Sequence, residues 1–322
     1  MVKLGKPEST RDAYGIVLTE LGEVHPEIVA LDADLSVSTQ TIRFAKKFPD
    51  RFFQMGISEA DMMSTAAGLA VSGKIPFVST FVIFGAGRAW EQVRNTICRA
   101  NLPVRLCLSH GGISIGEDGS SAQACEDFAT MRSIPNMTVI VPCDAAETRA
   151  VIYEIWDKPK SPVYVRMTRN KIPTLLDEND KPIHQKFTLG RSVTLREGGD
   201  ATIIACGQMV AVAIQSAETL AKEGIEIRVI NMSTIKPIDE KSIEKAARET
   251  GRIVTVEEHN IYGGLGGAVA EVVTERYPVP MRRVGVRDVF GESGTPEGLF
   301  EKYGLTPGNV VKAVKEVLDS IR

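Results

Sequence analysis

The chain is short of cysteine, of net charge and of long apolar runs, and each shortage closes off a chemistry. Five cysteines in 322 residues (Cys98, Cys107, Cys125, Cys143 and Cys206) are scattered with no C-x-x-C pair, so neither a disulfide framework nor a zinc site is expected. Their neighbours are mostly apolar, which points to buried free thiols in a reducing cytoplasm. Only Cys98 adjoins a basic residue, Arg99, and none is marked as a reactive nucleophile. Lys and Arg number 38 against 41 Asp and Glu, a net charge of −3, so no basic field draws in nucleic acid. No apolar run reaches the roughly 18 residues of a membrane span. Met1 to Lys6 has no apolar segment of the kind that opens a secretory signal. What is present is an ordinary globular composition, 43% hydrophobic and 25% charged, which argues against long disorder. The length exceeds one typical domain and suits two.

Strand-like and helix-like runs alternate. Ser9-Thr10-Arg11-Asp12 reads as a capping box, with Asp for Glu, opening a helix to about Val24. Strands are expected near 27–33, 51–55, 75–80, 103–109, 137–141 and 162–167, and helices near 39–47, 58–72, 86–100, 125–133 and 144–157. This alternation implies a mainly parallel sheet covered on both faces. From Asn170 to Gly190 the rhythm breaks; the stretch is polar, with Pro173, Pro182 and Asp177-Glu178-Asn179-Asp180, and reads as an interdomain linker. A second α/β series follows, with strands near 201–206, 226–231, 252–257 and 282–287 and helices near 209–223, 239–250, 266–275 and 308–320. The expected division is residues 1–172, a linker over 173–190, and residues 191–322. Val310, Val314, Val317 and Ile321 recur at helical spacing between Lys312, Lys315, Glu316 and Asp319, as in an amphipathic terminal helix.

Gly56-Ile57-Ser58-Glu59-Ala60-Asp61-Met62 puts a carboxylate just past a strand and in the first turn of a helix, where open α/β sheets place ligands. A first-turn Glu is also what the helix dipole favours. Among apolar neighbours such as Ile57, Met62 and Met63, Glu59 is expected to bind a proton more readily than a free carboxylate does. That suits sharing a proton with a heterocycle better than an ordinary salt bridge. Phe81 and Phe84 follow the strand near 75–80; such a pair either stacks on a flat ring or packs a core. His110, one of four histidines, opens a loop to Gly119 with four glycines. Loops at strand ends carry function, and glycine lets backbone approach a ligand. Further on, Val256-Glu257-Glu258-His259 precedes Gly263-Gly264-Leu265-Gly266-Gly267, which reads as a structural turn and interdomain contact.

In this order, these segments resemble the C-terminal half of transketolase, a thiamine-diphosphate enzyme, from about Ser9 to the C-terminus. The resemblance implies two consecutive three-layer α/β domains with mainly parallel sheets, a pyrimidine-binding domain and a transketolase C-terminal domain. Glu59 matches the family's Glu in Gly-Ile-x-Glu-x-x-Met, which holds the pyrimidine ring nitrogen. Phe81 and Phe84 lie where aromatics contact the aminopyrimidine; a further aromatic common three positions on is Gly87 here. His110 and Asp118 match residues that touch the sugar, His110 at its carbonyl or phosphate. Arg11, Ser38 and Arg169 match phosphate-binding positions, and Asp34 an acidic residue beside the cofactor at the subunit interface. Many microbial transketolases carry Pro-Thr-His-Gln where Ser120-Ser121-Ala122-Gln123 stands, so Ala122 replaces a substrate-handling His, leaving Gln123 open as its substitute. The family's Gly-Asp-Gly metal motif, which holds magnesium and the diphosphate, is missing; Gly116-Glu117-Asp118-Gly119 is a different loop. A separate N-terminal transketolase chain is therefore expected to supply Mg2+ and the diphosphate site, in an α2β2 assembly acting on sugar phosphates. Three alternatives stay open: the β subunit of a 2-oxoacid dehydrogenase E1 component, the carboxy-terminal half of a deoxyxylulose-phosphate synthase, and a catalytically silent partner.

Overall fold

The computed structural model describes residues 2–320; Met1 and the expected helix position Ile321 lie outside the described residues. The first helix, Thr10–Val24, starts as its sequence dictates: the Ser9 side chain accepts from the Asp12 N–H at 3.1 Å, satisfying an otherwise free donor. Its face Ala13, Tyr14, Val17, Leu18 and Leu21 is buried. A fully buried Leu or Val contributes about 1.5–3 kcal/mol, so this face fixes the helix on the sheet.

The strands are β1 (Lys3–Ser9), β2 (Ile28–Asp32), β3 (Phe52–Gln54), β4 (Ile75–Ser79), β5 (Arg105–Leu108), β6 (Thr138–Ile140), β7 (Val163–Arg166), β8 (Lys171–Leu176), β9 (Val193–Arg196), β10 (Ala201–Ala205), β11 (Ile227–Asn231), β12 (Thr234–Lys236), β13 (Ile253–Asn260) and β14 (Met281–Val286). A seven-stranded sheet has the order β12-β6-β7-β5-β4-β2-β3. All its pairings are parallel except β12 with β6. β2, β5 and β7 are buried at every position, as strands covered on both faces must be. The second sheet, β14-β13-β10-β11-β9, is parallel apart from β9.

The observed elements depart from expectation in several places, among them the unforeseen strand β9 and helix Pro296–Lys302. The polar stretch after Asn170 is not all linker: β8 pairs antiparallel with β1, an unforeseen strand, in a two-stranded ribbon. Pro7 and Pro173 face each other there, and the register shifts between Leu4 and Pro7; prolines lack the N–H that a regular ladder and its sequence signature require. β12, three residues from the second half, crosses over to cap the edge of the first sheet, which shields an exposed strand edge. The helix expected over 39–47 is two, Ser36–Thr39 and Ile42–Lys47, separated by Gln40 at φ +70°. The helix expected over 86–100 begins earlier and contains two π-helical turns, Ile83–Arg88 and Val93–Cys98.

One apolar core runs through both halves, joining Met62, Met63 and Val82 to Ile230, Met232 and Leu265. In the C-terminal helix, Pro307–Asp319, Val310, Val314 and Val317 are buried. All five cysteines are buried and free, and burial pushes the Cys98 thiol up to about 12. No helix among the described residues is long and apolar enough to cross a membrane.

Candidate active site

Five parallel strands end on one side of the seven-stranded sheet, and each is followed by a residue singled out above. Asp34 and Ser38 follow β2, Glu59 follows β3, Phe81 and Phe84 follow β4, His110 follows β5 and Arg169 follows β7. The chain goes from β2 outward to β3, then returns to β4 on the other side of β2. A crevice opens at such a reversal of strand order.

Glu59 is the first residue of the helix Glu59–Val71 and is 2% exposed. The expected apolar shield is only half there: Met62 and Met63 are buried, but Ile57 is 77% exposed. Contrary to expectation, Glu59 is in a salt bridge. Arg88 Nη1 donates to both carboxylate oxygens at 3.1 Å, and the Arg88 side chain is 53% exposed. The guanidinium carbon also lies 4.5 Å from the centre of the Phe84 ring, a cation–π distance. At Gly87 itself an added Cβ would meet only Ile83, at 3.5 Å.

Phe81 and Phe84 stack at 5.9 Å between ring centres and 15° between planes. The His110 ring also stacks on Phe81, at 3.8 Å, which groups three flat rings at the strand ends. His110 sits at φ +63° and Asp34 at φ +62°, a region non-glycine residues seldom occupy and one that clusters at functional sites. Burial, aided by Arg11 and Arg169, lowers the His110 pKa to about 3, so its imidazole is neutral at physiological pH. Its Nδ1 is hydrogen-bonded to Ser109 Oγ at 2.8 Å. Asp34 is exposed, with its N–H held by Gln54 Oε1 at 2.8 Å. The neighbouring Asp32 is turned inward, where its Oδ1 accepts from Leu35 N at 2.6 Å and its Oδ2 from the Thr39 and Thr41 hydroxyls.

Arg11, Ser38 and Arg169, far apart in sequence, meet. Arg11 Nη1 donates to the Ser38 carbonyl at 2.6 Å and Nη2 to the Arg169 carbonyl at 2.8 Å, while its buried Nε has no partner. Arg169 Nη1 reaches the Ile115 carbonyl at 2.9 Å and Glu117 at 2.7 Å. Asp118, exposed, ends the same loop.

Gln123 anchors the loop. Its amide nitrogen donates to the carbonyls of Ile113, Gly116 and Glu292, and its buried Oε1 has no partner. The amide hydrogens that would act as donors are thereby directed at main chain, so Gln123 supports the loop that the absent His would have served.

The second half supplies a buried clamp that single residues did not announce. Arg166, at the end of β7, lies 3.4 Å from Glu258 and 3.7 Å from Asp127 and sits over Phe128, which also stacks with His259. Glu258 also accepts from Ser114 N at 2.7 Å and from the Gln208 amide. Gly112, at φ +79°, passes so close that a Cβ would lie 2.2 Å from Arg166 Nη2. Glu257 closes the glycine-rich turn by accepting from Leu265 N and Gly266 N at 2.6 and 2.8 Å, the place a phosphate takes at other helix N-termini. Cys143, Glu147 and His184 also meet, but Glu147 already accepts from Cys143 N, Ser233 Oγ and Asn231 Nδ2 at 2.7, 2.7 and 3.0 Å. Glu147 is thus already engaged by three hydrogen-bond donors.

Residues 6–174 match the transketolase pyrimidine-binding domain and residues 190–310 the transketolase C-terminal domain. The chain belongs to the transketolase family. It is 46% identical over 98% of its length, and 98% of the relative's, to a putative transketolase C-terminal section of Methanocaldococcus jannaschii. It is 44% identical, over 96% of its length and 94% of the relative's, to a 6-deoxy-6-sulfo-D-fructose transketolase subunit of a Clostridium species. A solved split-gene transketolase, described as an inactive β4 tetramer, superposes with a TM-score of 0.89 at 51% identity, covering 98% of this chain and 99% of that one. Transketolases depend on thiamine diphosphate, and this chain's donors fit the aminopyrimidine end of it. A buried carboxylate whose one arginine partner is half exposed and a group of flat rings are what a flat, basic heterocycle requires.

Proposed function

We propose that this chain is the C-terminal subunit of a split transketolase, which transfers a two-carbon ketol unit from a ketose phosphate such as xylulose 5-phosphate to an aldose phosphate. The reading is carried by the Glu59 carboxylate, buried at a helix start beside the strand-order reversal, facing a guanidinium that lies on Phe84. An N-terminal chain provides the magnesium and diphosphate site in an α2β2 assembly, which is active only when both chains are present. Bound thiamine diphosphate supplies the carbon nucleophile that carries the two-carbon unit.

This chain's residues then have separable tasks. Glu59 holds the proton on the pyrimidine ring nitrogen, and Phe81 and Phe84 hold the ring flat. His110, neutral because of burial, offers one ring nitrogen to the sugar carbonyl while the other stays on Ser109. Asp118 orients the donor's hydroxyls, and Asp34 lies beside the cofactor where the partner chain docks. Arg11 ties Ser38 to Arg169, and Arg169 meets the anionic tail of the sugar with its planar fork.

The deciding assay combines the chain with its N-terminal counterpart, thiamine diphosphate and Mg2+, and measures ketol transfer from xylulose 5-phosphate to ribose 5-phosphate beside pyruvate decarboxylation. Transfer that requires both chains supports the proposal. Decarboxylation without transfer moves the chain to the oxoacid dehydrogenase class. A sulfonated ketose is the second donor to test, because the Clostridium relative is named for one and an arginine fork also donates to sulfonate oxygens. A preference for it assigns Arg169 to a sulfonate tail.

A further inference from the structure

We infer that Arg88 is a built-in occupant of the aminopyrimidine site, a latch that thiamine diphosphate must displace. The inference rests on the transketolase reading of Glu59. A guanidinium and an aminopyrimidine share two features: both are flat, and both present N–H groups in the plane of the ring. In the chain as it stands, Arg88 uses both features at once. One nitrogen, Nη1, engages both Glu59 oxygens at 3.1 Å, and the guanidinium lies over Phe84 at 4.5 Å. The carboxylate and the aromatic ring are the two surfaces the heterocycle needs, and Arg88 already engages both.

The latch is built to open. The Arg88 side chain is 53% exposed while Glu59 is buried, so the arginine leaves by rotating into solvent and the carboxylate keeps its place. Arg88 ends a π-helical turn that also contains Gly85 and Gly87; such turns recur at functional sites. With the latch shut, Glu59 is a paired ion and its buried charge is compensated, which protects an incomplete site. With it open, Glu59 has lost that counter-charge and is free to hold a proton on a heterocycle. A competing internal ligand lowers apparent affinity by the fraction of time the site is open. A site latched nine-tenths of the time binds about tenfold more weakly than an open one.

The test is calorimetric titration of thiamine diphosphate, with saturating Mg2+, into the assembled two-chain complex. Arg88→Gln, which keeps a polar side chain and removes the cation and its planar fork, is expected to bind about three- to tenfold more tightly than the unaltered complex. Arg88→Lys retains the charge without the flat face and is expected to fall between them, and it decides the matter if Arg88→Gln does not assemble. Equal or weaker binding by these variants overturns the latch, because Arg88 would then be a spectator or would itself hold the cofactor. No binding by any of the three complexes overturns the transketolase reading and the latch with it.

Discussion

Two carboxylate–arginine pairs in this chain resemble each other at the level of residue type and differ in everything around them. Glu258 and Arg166 are each 3% exposed, and Glu258 has two further fixed partners in Ser114 N and the Gln208 amide. Burial pushes the Glu258 carboxyl up, with Arg166 opposing. Glu59 is as deeply buried, but its oxygens both lean on one nitrogen of a half-exposed arginine. The number of partners separates the roles. A buried carboxylate held from three directions is a strut, since removing one partner leaves the others and the geometry. One held by a single removable group is poised for ligand exchange. The strut lies between the two halves of the chain and fixes the loop that carries His110; the exchangeable pair lies at the strand ends where the cofactor's ring belongs.

The comparison breaks if the two glutamates respond alike. Glu59→Gln should leave folding nearly intact and lower ketol transfer by the whole of a proton-sharing contribution, about 10²–10⁴-fold, measured in the two-chain assay. Unaltered transfer would remove Glu59 from the chemistry. Glu258→Ala should do the reverse and cost about 3–5 kcal/mol of stability, because it strands Arg166 beside Asp127 without its second carboxylate. Urea unfolding of the single chain checks this, and a loss under about 1 kcal/mol would mean that the clamp is not a strut.

His110 sharpens the contrast at an intermediate scale. Its pKa falls from 6.5 in the unfolded chain to about 3 in the folded one, first through burial and then through Arg11 and Arg169. A histidine depressed in this way binds its proton on unfolding, so its contribution is complete above about pH 6.5 and is lost as pH falls toward 3. At pH 5 the loss is about 2 kcal/mol. Urea midpoints at pH 7 and pH 5 should therefore differ less in His110→Gln than in the unaltered chain. Equal differences would mean that His110 is not buried as a neutral group.

The sequence disclosed most readily the features that repeat or stand at strand ends. Alternating strands and helices announced two α/β series because each buried strand is a near-continuous apolar run. Glu59, the Phe81–Phe84 pair and the His110 loop were legible because each follows such a run. Arg88 was not: it stands 29 residues from Glu59 in the chain, and only the fold brings the two together. β1 and β8 were hidden by their prolines, and β12 by its length, since three residues carry no periodicity. The Arg166–Glu258 clamp joins positions 92 residues apart, a pairing that only the fold creates. Ile57 does not shield Glu59, because two residues ahead of the helix start its side chain points to solvent.

The smallest of these effects belongs to a third arginine–carboxylate pair and asks whether partner number is the right criterion. Arg169 and Glu117 lie 2.7 Å apart with side chains 37% and 60% exposed, so water screens the pair and it contributes little. Arg169 thus resembles Arg88 in being held by something weak, and a phosphate with more oxygens and more charge should take it from Glu117. Arg169→Ala should raise KM for xylulose 5-phosphate about tenfold, roughly the 1.4 kcal/mol of one charge-assisted contact, with little change for an unphosphorylated ketose. A KM effect with kcat unchanged marks binding shared by ground and transition states. Equal losses on both substrates would mean that Arg169 supports the His110 loop through Ile115 and is a strut like Arg166, and exposure would then be a poorer guide to exchangeability than the Glu59 pair suggests.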